Sequence, residues 1–396
     1  MNKPEQLLCR LSRPCPTRHR QRWILCLRHA RAYQRCLHHL HKNGIRPLKQ
    51  IKHAHSIAFY GDGRRTKDFV LLRSHPEVIQ LEKDLKIRAH AVTTDLTPAH
   101  SASPLIYPPA WSSLRISPAA ENSSLPWGLN AIQAQKAWPV TKGSGIRIGI
   151  IDTGIGPHPQ LKVSGGINTI TPGGPILDDN GHGTHVAGIA AATLGRRMSG
   201  TAPRARLYAV KALDQNGVGY ISDIIEGVEW CINNRIQIIN MSLGTRGNSR
   251  LLQRSLQRAY AKGIVLVASA GNSGTALQGI DYPARYPQVM AIAASDIRSR
   301  IADFSSRGAG IDLTAPGVNI YSTLPHGRYG YESGTSMSSP FVSGTAALLL
   351  AQKRSRTPAA VRRLLTSTTR KLKGYSQIAQ GKGLIQADRA VMKNAR

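Results

Sequence analysis

The chain has 396 residues and only five cysteines: Cys9, Cys15, Cys26, Cys36 and Cys231. None are spaced as CxxC and four lie before residue 37, which argues against a disulfide framework and against a zinc site. Long apolar runs are also missing, and nothing approaches the ~18 residues that would cross a bilayer. The apolar cluster Trp23 to Leu27 is short for a signal-peptide core and is ringed by Arg and His, so no export signal is visible. Acidic side chains are scarce: 21 Asp+Glu stand against 53 Lys+Arg, a formal net charge of +32. Such a surface attracts anionic polymers without selectivity. Aromatics make up 5% of the chain, and no zinc finger, aromatic–basic RNA signature or basic-region heptad accompanies the charge. A specific nucleic-acid partner is therefore not expected.

The organisation changes three times along the chain. Residues 1–18 read as a basic tail. Residues 19–92 alternate strand-like and helical stretches in a βαββαβ order, the pattern of a small α+β, ferredoxin-like unit. "RWILCLRH", "IKHAHSIAFYGDG" and "IQLEKDLKIRAHA" are the strand-like runs. "ARAYQRCLHHLHKNG" and "RTKDFVLLRSHPEV" are the helical ones. Ten of the fourteen His fall before residue 101, without convincing metal spacing. Residues 93–124 are rich in Pro, Ser and Ala and lack periodicity, as an exposed and easily nicked linker does. Residues 125–396 become α/β. "RIGIID", "RLYAVKAL", "IQIINMSLG" and "GIVLVASAGN" are buried-type strands separated by helical stretches. This implies a mostly parallel sheet covered on both faces, with its chemistry beyond the carboxyl ends of the strands.

Within "SGTSMSSPFVSGTAALLLAQ", the Ala/Leu half predicts a buried helix, and Pro340 predicts that this helix begins near Thr335 to Met337. That sets Ser336 at a helix N-terminus, where a serine on its own reads equally as a cap. Asp152 ends "RIGIID", His182 lies in "DDNGHGTHVAGIAAA", and Asn272 follows a strand in "SAGNSG". Singly, each reads as a turn or terminus former. Together, an ordered Asp, His and Ser at strand ends and helix starts is what nucleophilic acyl transfer needs. Serine is inert until a histidine takes its proton, and the histidine needs a carboxylate to hold its tautomer.

The motifs "GIIDTGIGPHP", "GHGTHVAGIAAA", "INMSLG", "ASAGNSG" and "GTSMSSPFVSGTAALLL" resemble the subtilisin family of serine peptidases, from about Leu125 to Val391. The resemblance implies a subtilisin-like α/β fold and a serine endopeptidase acting on polypeptides through an acyl-enzyme. Asp152 would then orient, His182 act as base and acid, Ser336 attack and Asn272 polarise the carbonyl. His185 would be structural. The same resemblance makes Ser242, Leu243, Gly244, Ala270 and Gly271 substrate-binding. It also sets Asp281 at the base of the primary pocket, facing a substrate Lys or Arg or else turned to solvent or Arg285. Residues 19–92 are similar to a subtilisin propeptide, an inhibitor and folding aid. Glu82 and Asp84 would cap peptidase helices, and the maturation cut would fall within 93–124. Such a zymogen implies secretion, against which the missing signal stands. A self-processing monomer is expected.

One departure concerns metal. Members with the strong calcium site carry an aspartate where this chain has Gln160, and an Asn-rich loop where it has "TLGRRMSG". Arg196 and Arg197 would repel a cation, so the expectation is that this site is lost and no cofactor is required. Calcium held by backbone carbonyls stays open.

Overall fold

Seven strands form the central sheet, every neighbouring pair parallel. Across the sheet they run Ile311–Pro316, Val289–Ser295, Val265–Ser269, Ile238–Met241, Arg147–Asp152, Arg206–Lys211 and Val163–Asn168. The computed structural model describes residues 3–91, 125–195, 198–277 and 279–393. Successive strand residues point to opposite faces, and the sequence is apolar at both parities. Ile148 and Ile150 join a core with the helices His182–Ala191 and Thr335–Gln352, whereas Ile151 joins one with Ile221–Asn233 and Arg250–Ala261. The α/β reading of residues 125–396 therefore holds, with helices on both faces.

The N-terminal unit is a four-stranded antiparallel sheet in the order Lys49–Ile51, Ser56–Asp62, Arg20–Leu27, Val78–Lys83. Alternation again divides the work. Leu25 and Leu27 pack under the helices Ala30–Lys42 and Thr66–Arg73, while Ile24 and Cys26 face the peptidase helices. Two details depart from expectation. The supposed tail contains the helix Pro4–Leu11, started by proline at its first position, with Leu7, Leu8 and Leu11 buried in the unit's own core. The run "IQLEKDLKIRAHA" is two strands, because Asp84 turns away to the peptidase. Val78–Lys83 stays in the N-terminal sheet and Lys86–Ala89 joins the peptidase domain. The stretch 93–124 lies outside the described residues. Among those described, no helix is long and apolar enough to cross a membrane.

The units meet through charges at helix ends. Asp84 accepts from the Ser222 amide at 2.9 Å and the Ser222 hydroxyl at 2.8 Å, at the start of Ile221–Asn233. Glu82 accepts from the Arg250 amide at 3.1 Å, at the start of Arg250–Ala261. A carboxylate there satisfies free N–H groups and opposes the positive end of the helix dipole. Lys49 is buried between Asp223 and Glu226, 2.8 Å from each.

Candidate active site

The sheet delivers its chemistry at one edge. Asp152 is the last residue of its strand and His182 the first of its helix. His182 Nδ1 and Asp152 Oδ1 are 2.7 Å apart, and both side chains are buried. Burial works against a charged imidazole, but the nearby charge of Asp152 and the hydrogen bond to it outweigh burial. With Glu332 and Asp178 adding their charge, the His182 pKa is pushed up to about 9. His182 Nε2 has no hydrogen-bond partner among the described residues. Asp178 anchors the helix that carries this histidine: Oδ1 accepts from the Gly181 amide at 2.8 Å, and Oδ2 from the Thr184 amide at 2.8 Å.

Ser336 is the second residue of Thr335–Gln352, so its N–H lies among the first four that lack an intrahelical partner. Its hydroxyl donates to the Ser242 carbonyl at 3.0 Å. Pro340 is the sixth residue of the helix, deeper than the first turn expected for it. Proline cannot donate to the Ser336 carbonyl. The Ser242 hydroxyl does so instead at 2.9 Å, which lets the helix run straight through. Asn272 Oδ1 accepts from the Thr335 amide at 3.0 Å, leaving its Nδ2 aimed across the cleft. His185 is buried, and its Nε2 lies 2.9 Å from the Ile320 carbonyl.

The cleft is filled by the chain's own residues Lys86 to Ala91. Lys86–Ala89 forms the middle of a three-stranded antiparallel sheet between Leu243–Gly244 and Val218–Tyr220. The His90 amide donates to the Ser242 carbonyl at 3.3 Å, and Asn272 Nδ2 donates to the His90 carbonyl at 2.8 Å. Gly334 makes the approach possible, since a Cβ there would stand 2.3 Å from that carbonyl oxygen and φ is +150°. Ser242, Leu243 and Gly244 therefore run alongside this segment.

Asp281 turns neither to solvent nor to the Arg285 side chain. It points inward, with Oδ2 3.0 Å from His90 Nε2 and Oδ1 3.1 Å from Arg246 Nη1. Burial alone would raise its pKa, but the hydrogen bonds and charges of His90 and Arg246 hold the carboxyl below the usual range. The reason is steric as well: Gly271 has no Cβ, and one there would come within 2.8 Å of Asp281 Oδ2.

The comparisons agree with this architecture. Residues 143–383 match the subtilase family. The chain belongs to that family. It is similar to a thermostable alkaline protease of Halalkalibacterium halodurans, 45% identical over 68% of this chain and 74% of the relative. Subtilisin BL of Lederbergia lenta is 43% identical over 67% of this chain and 98% of the relative. The minor extracellular protease Epr of Bacillus subtilis is 36% identical over 76% of this chain and 44% of the relative. This subtilase is a serine endopeptidase, a hydrolase of peptide bonds.

The sequence resemblance sets Gln160 where calcium-binding members would carry a ligand. Its side-chain N–H groups donate to the Thr193 carbonyl at 2.9 Å and the Met198 carbonyl at 2.8 Å, and its oxygen accepts from the Tyr329 hydroxyl at 2.6 Å. The amide thus takes up the carbonyl oxygens a cation would need, and the donor set does not fit a metal. Arg196 and Arg197 lie outside the described residues. Sequence reasoning missed His90, Ser269, Arg246 and Asp178. The first had a readable signal, a period-2 run "KIRAH" directly before the linker. Ser269 and Asp178 lie inside the quoted motifs but gain their partners only in the fold, and Arg246 has no motif of its own.

Proposed function

We propose that this subtilase is a self-processing zymogen whose Ser336, His182 and Asp152 cut the chain between His90 and Ala91. The observation that carries the reading is the His90 carbonyl held by Asn272 Nδ2 at 2.8 Å, at the mouth of the helix that presents Ser336. In the reaction, Ser336 Oγ turns from the Ser242 carbonyl and attacks the His90 carbonyl carbon, while His182 Nε2 takes the hydroxyl proton. Asn272 Nδ2 and the Ser336 N–H hold the oxygen as it becomes negative. Collapse breaks the bond to Ala91, whose amine receives the proton from His182. Water then releases the acyl group by the reverse sequence. Asp152, hydrogen-bonded to Nδ1, keeps the ring oriented and stabilises the imidazolium.

After the cut, the N-terminal unit remains as an inhibitor. Its carboxylates on two helix starts and its strand in the cleft support that role. The bond proposed here lies just before the 93–124 stretch where the linker composition suggested a cut. Gln160 supports a further part of the reading: the strong calcium site is replaced by an amide, and the enzyme needs no metal there. The word extracellular in the name of the Bacillus subtilis relative supports a function outside the cell. A fluorophosphonate probe tests the chemistry. Labelling confined to Ser336 in the processed protein is expected, and processed protein that takes no label would sink the reading.

A further inference from the structure

The pocket that holds the His90 side chain is built for that ring. The ring lies among Gly244, Ser269 and Asp281. Both ring nitrogens have partners: Nδ1 lies 2.8 Å from Ser269 Oγ, and Nε2 donates to Asp281 Oδ2 at 3.0 Å. The ring passes so close to Gly244 that a Cβ there would stand 2.2 Å from its Cε1 and 2.4 Å from its Nε2. Asp281 is buried, so its carboxylate cannot be left without hydrogen-bond donors at little cost. Arg246 supplies one to Oδ1 from the pocket mouth, and the bound imidazole supplies the other to Oδ2.

From this we propose that the primary pocket of the processed enzyme selects histidine immediately before the scissile bond, in polypeptides other than its own N-terminal unit. The proposal rests on the reading of Ser336 as nucleophile and of Lys86 to Ala91 as a substrate-like strand. Depth and charge argue for histidine over lysine or arginine. An imidazole already reaches the carboxylate at hydrogen-bond distance, so a longer cation has to buckle or displace Arg246, which holds the second oxygen. Leucine or phenylalanine fills the same volume but leaves Asp281 Oδ2 and Ser269 Oγ without the ring's polar atoms. A site built to hydrogen-bond its ligand discriminates most strongly against an analogue that lacks those groups. Ser269 Oγ can donate or accept a hydrogen bond, so both the neutral and the charged ring are satisfied.

The test uses processed wild-type enzyme whose active sites are first counted with a fluorophosphonate. Matched peptides then differ only in the residue before the cut: His, Leu, Phe, Lys or Ala. The His peptide is expected to exceed Leu and Lys in kcat/KM by about tenfold or more per labelled site. Asp281→Asn should erase most of that preference, and Ser269→Ala part of it. Gly244→Ala, whose added methyl meets the ring, should shift preference from His toward Ala, and it keeps the proposal exposed to test if Asp281→Asn does not fold. A Leu or Lys peptide cleaved as well as the His peptide would overturn the proposal. So would a His-to-Leu ratio unchanged in both Asp281→Asn and Gly244→Ala. Absence of fluorophosphonate labelling would instead remove the nucleophile reading and this proposal with it, whereas full labelling without His preference overturns the proposal alone.

Discussion

Asn272 uses both ends of one amide: its oxygen accepts from the Thr335 amide, and its nitrogen donates to the His90 carbonyl, the donor role proposed above. Asn272→Ala should therefore lower kcat about 10²–10³-fold with little change in KM, the magnitude known for the corresponding donor in subtilisin. An unchanged kcat on a peptide substrate would contradict this role. His182 gives a pH prediction. Burial lowers its pKa from the ordinary 6.5, but the charge of Asp152 and the hydrogen bond to it prevail and raise it to about 9, which favours the protonated ring at neutral pH. Asp152, Asp178 and Glu332 favour that charge, and His185 is buried beside it. The stabilisation from the raised pKa is complete below 6.5 and is lost as pH climbs through about 9. Self-cleavage of the intact chain should accelerate over the same range. A cleavage rate that is flat from neutral pH to beyond pH 9 would show that His182 is not the limiting base.

At the scale of elements, the strand Lys86–Ala89 and the two capped helices decide how the N-terminal unit is held. Asp84 also meets Arg22, whose Nη2 is 2.9 Å away, so removing the carboxylate exposes free amides and strands a partly buried guanidinium. Asp84→Ala should weaken the hold of the cut N-terminal unit by about fivefold, in line with the ~1 kcal/mol typical of a lost cap. Earlier onset of peptidase activity after the cut is the measurement, and unchanged timing would count against the inhibitor role. The loop around Gln160 is a second element-scale case. Chelator should leave the melting temperature where it was, whereas Gln160→Ala, which leaves the Thr193 and Met198 carbonyls unserved, should cost about 1–3 kcal/mol. A large fall in melting temperature with EDTA, restored by calcium, would overturn the amide-for-metal reading.

For the whole molecule, what could be read from the residues and what could not have different physical origins. The parallel sheet was legible because buried strands leave continuous Ile and Val runs, and the pairing of Asp152 with His182 because Gly and small residues mark the strand end and helix start that carry them. Pro4–Leu11 was not, since a short helix with three buried leucines in a basic setting looks like a tail. The inward turn of Asp281 was also hidden, because it depends on His90, 191 positions away in sequence. Likewise the break between Val78–Lys83 and Lys86–Ala89 exists only because a second domain is there to receive the later strand. That crossing of domains is the centre of the account, since it brings the His90 carbonyl to Asn272. Its most direct test is intact mass, with N-terminal sequencing, of the full chain and of Ser336→Ala, each purified away from other proteases and incubated above pH 8. Wild-type fragments ending at His90 and beginning at Ala91 are expected, with an uncut Ser336→Ala chain. A wild-type cut made only elsewhere, or cleavage of Ser336→Ala between His90 and Ala91, would contradict it.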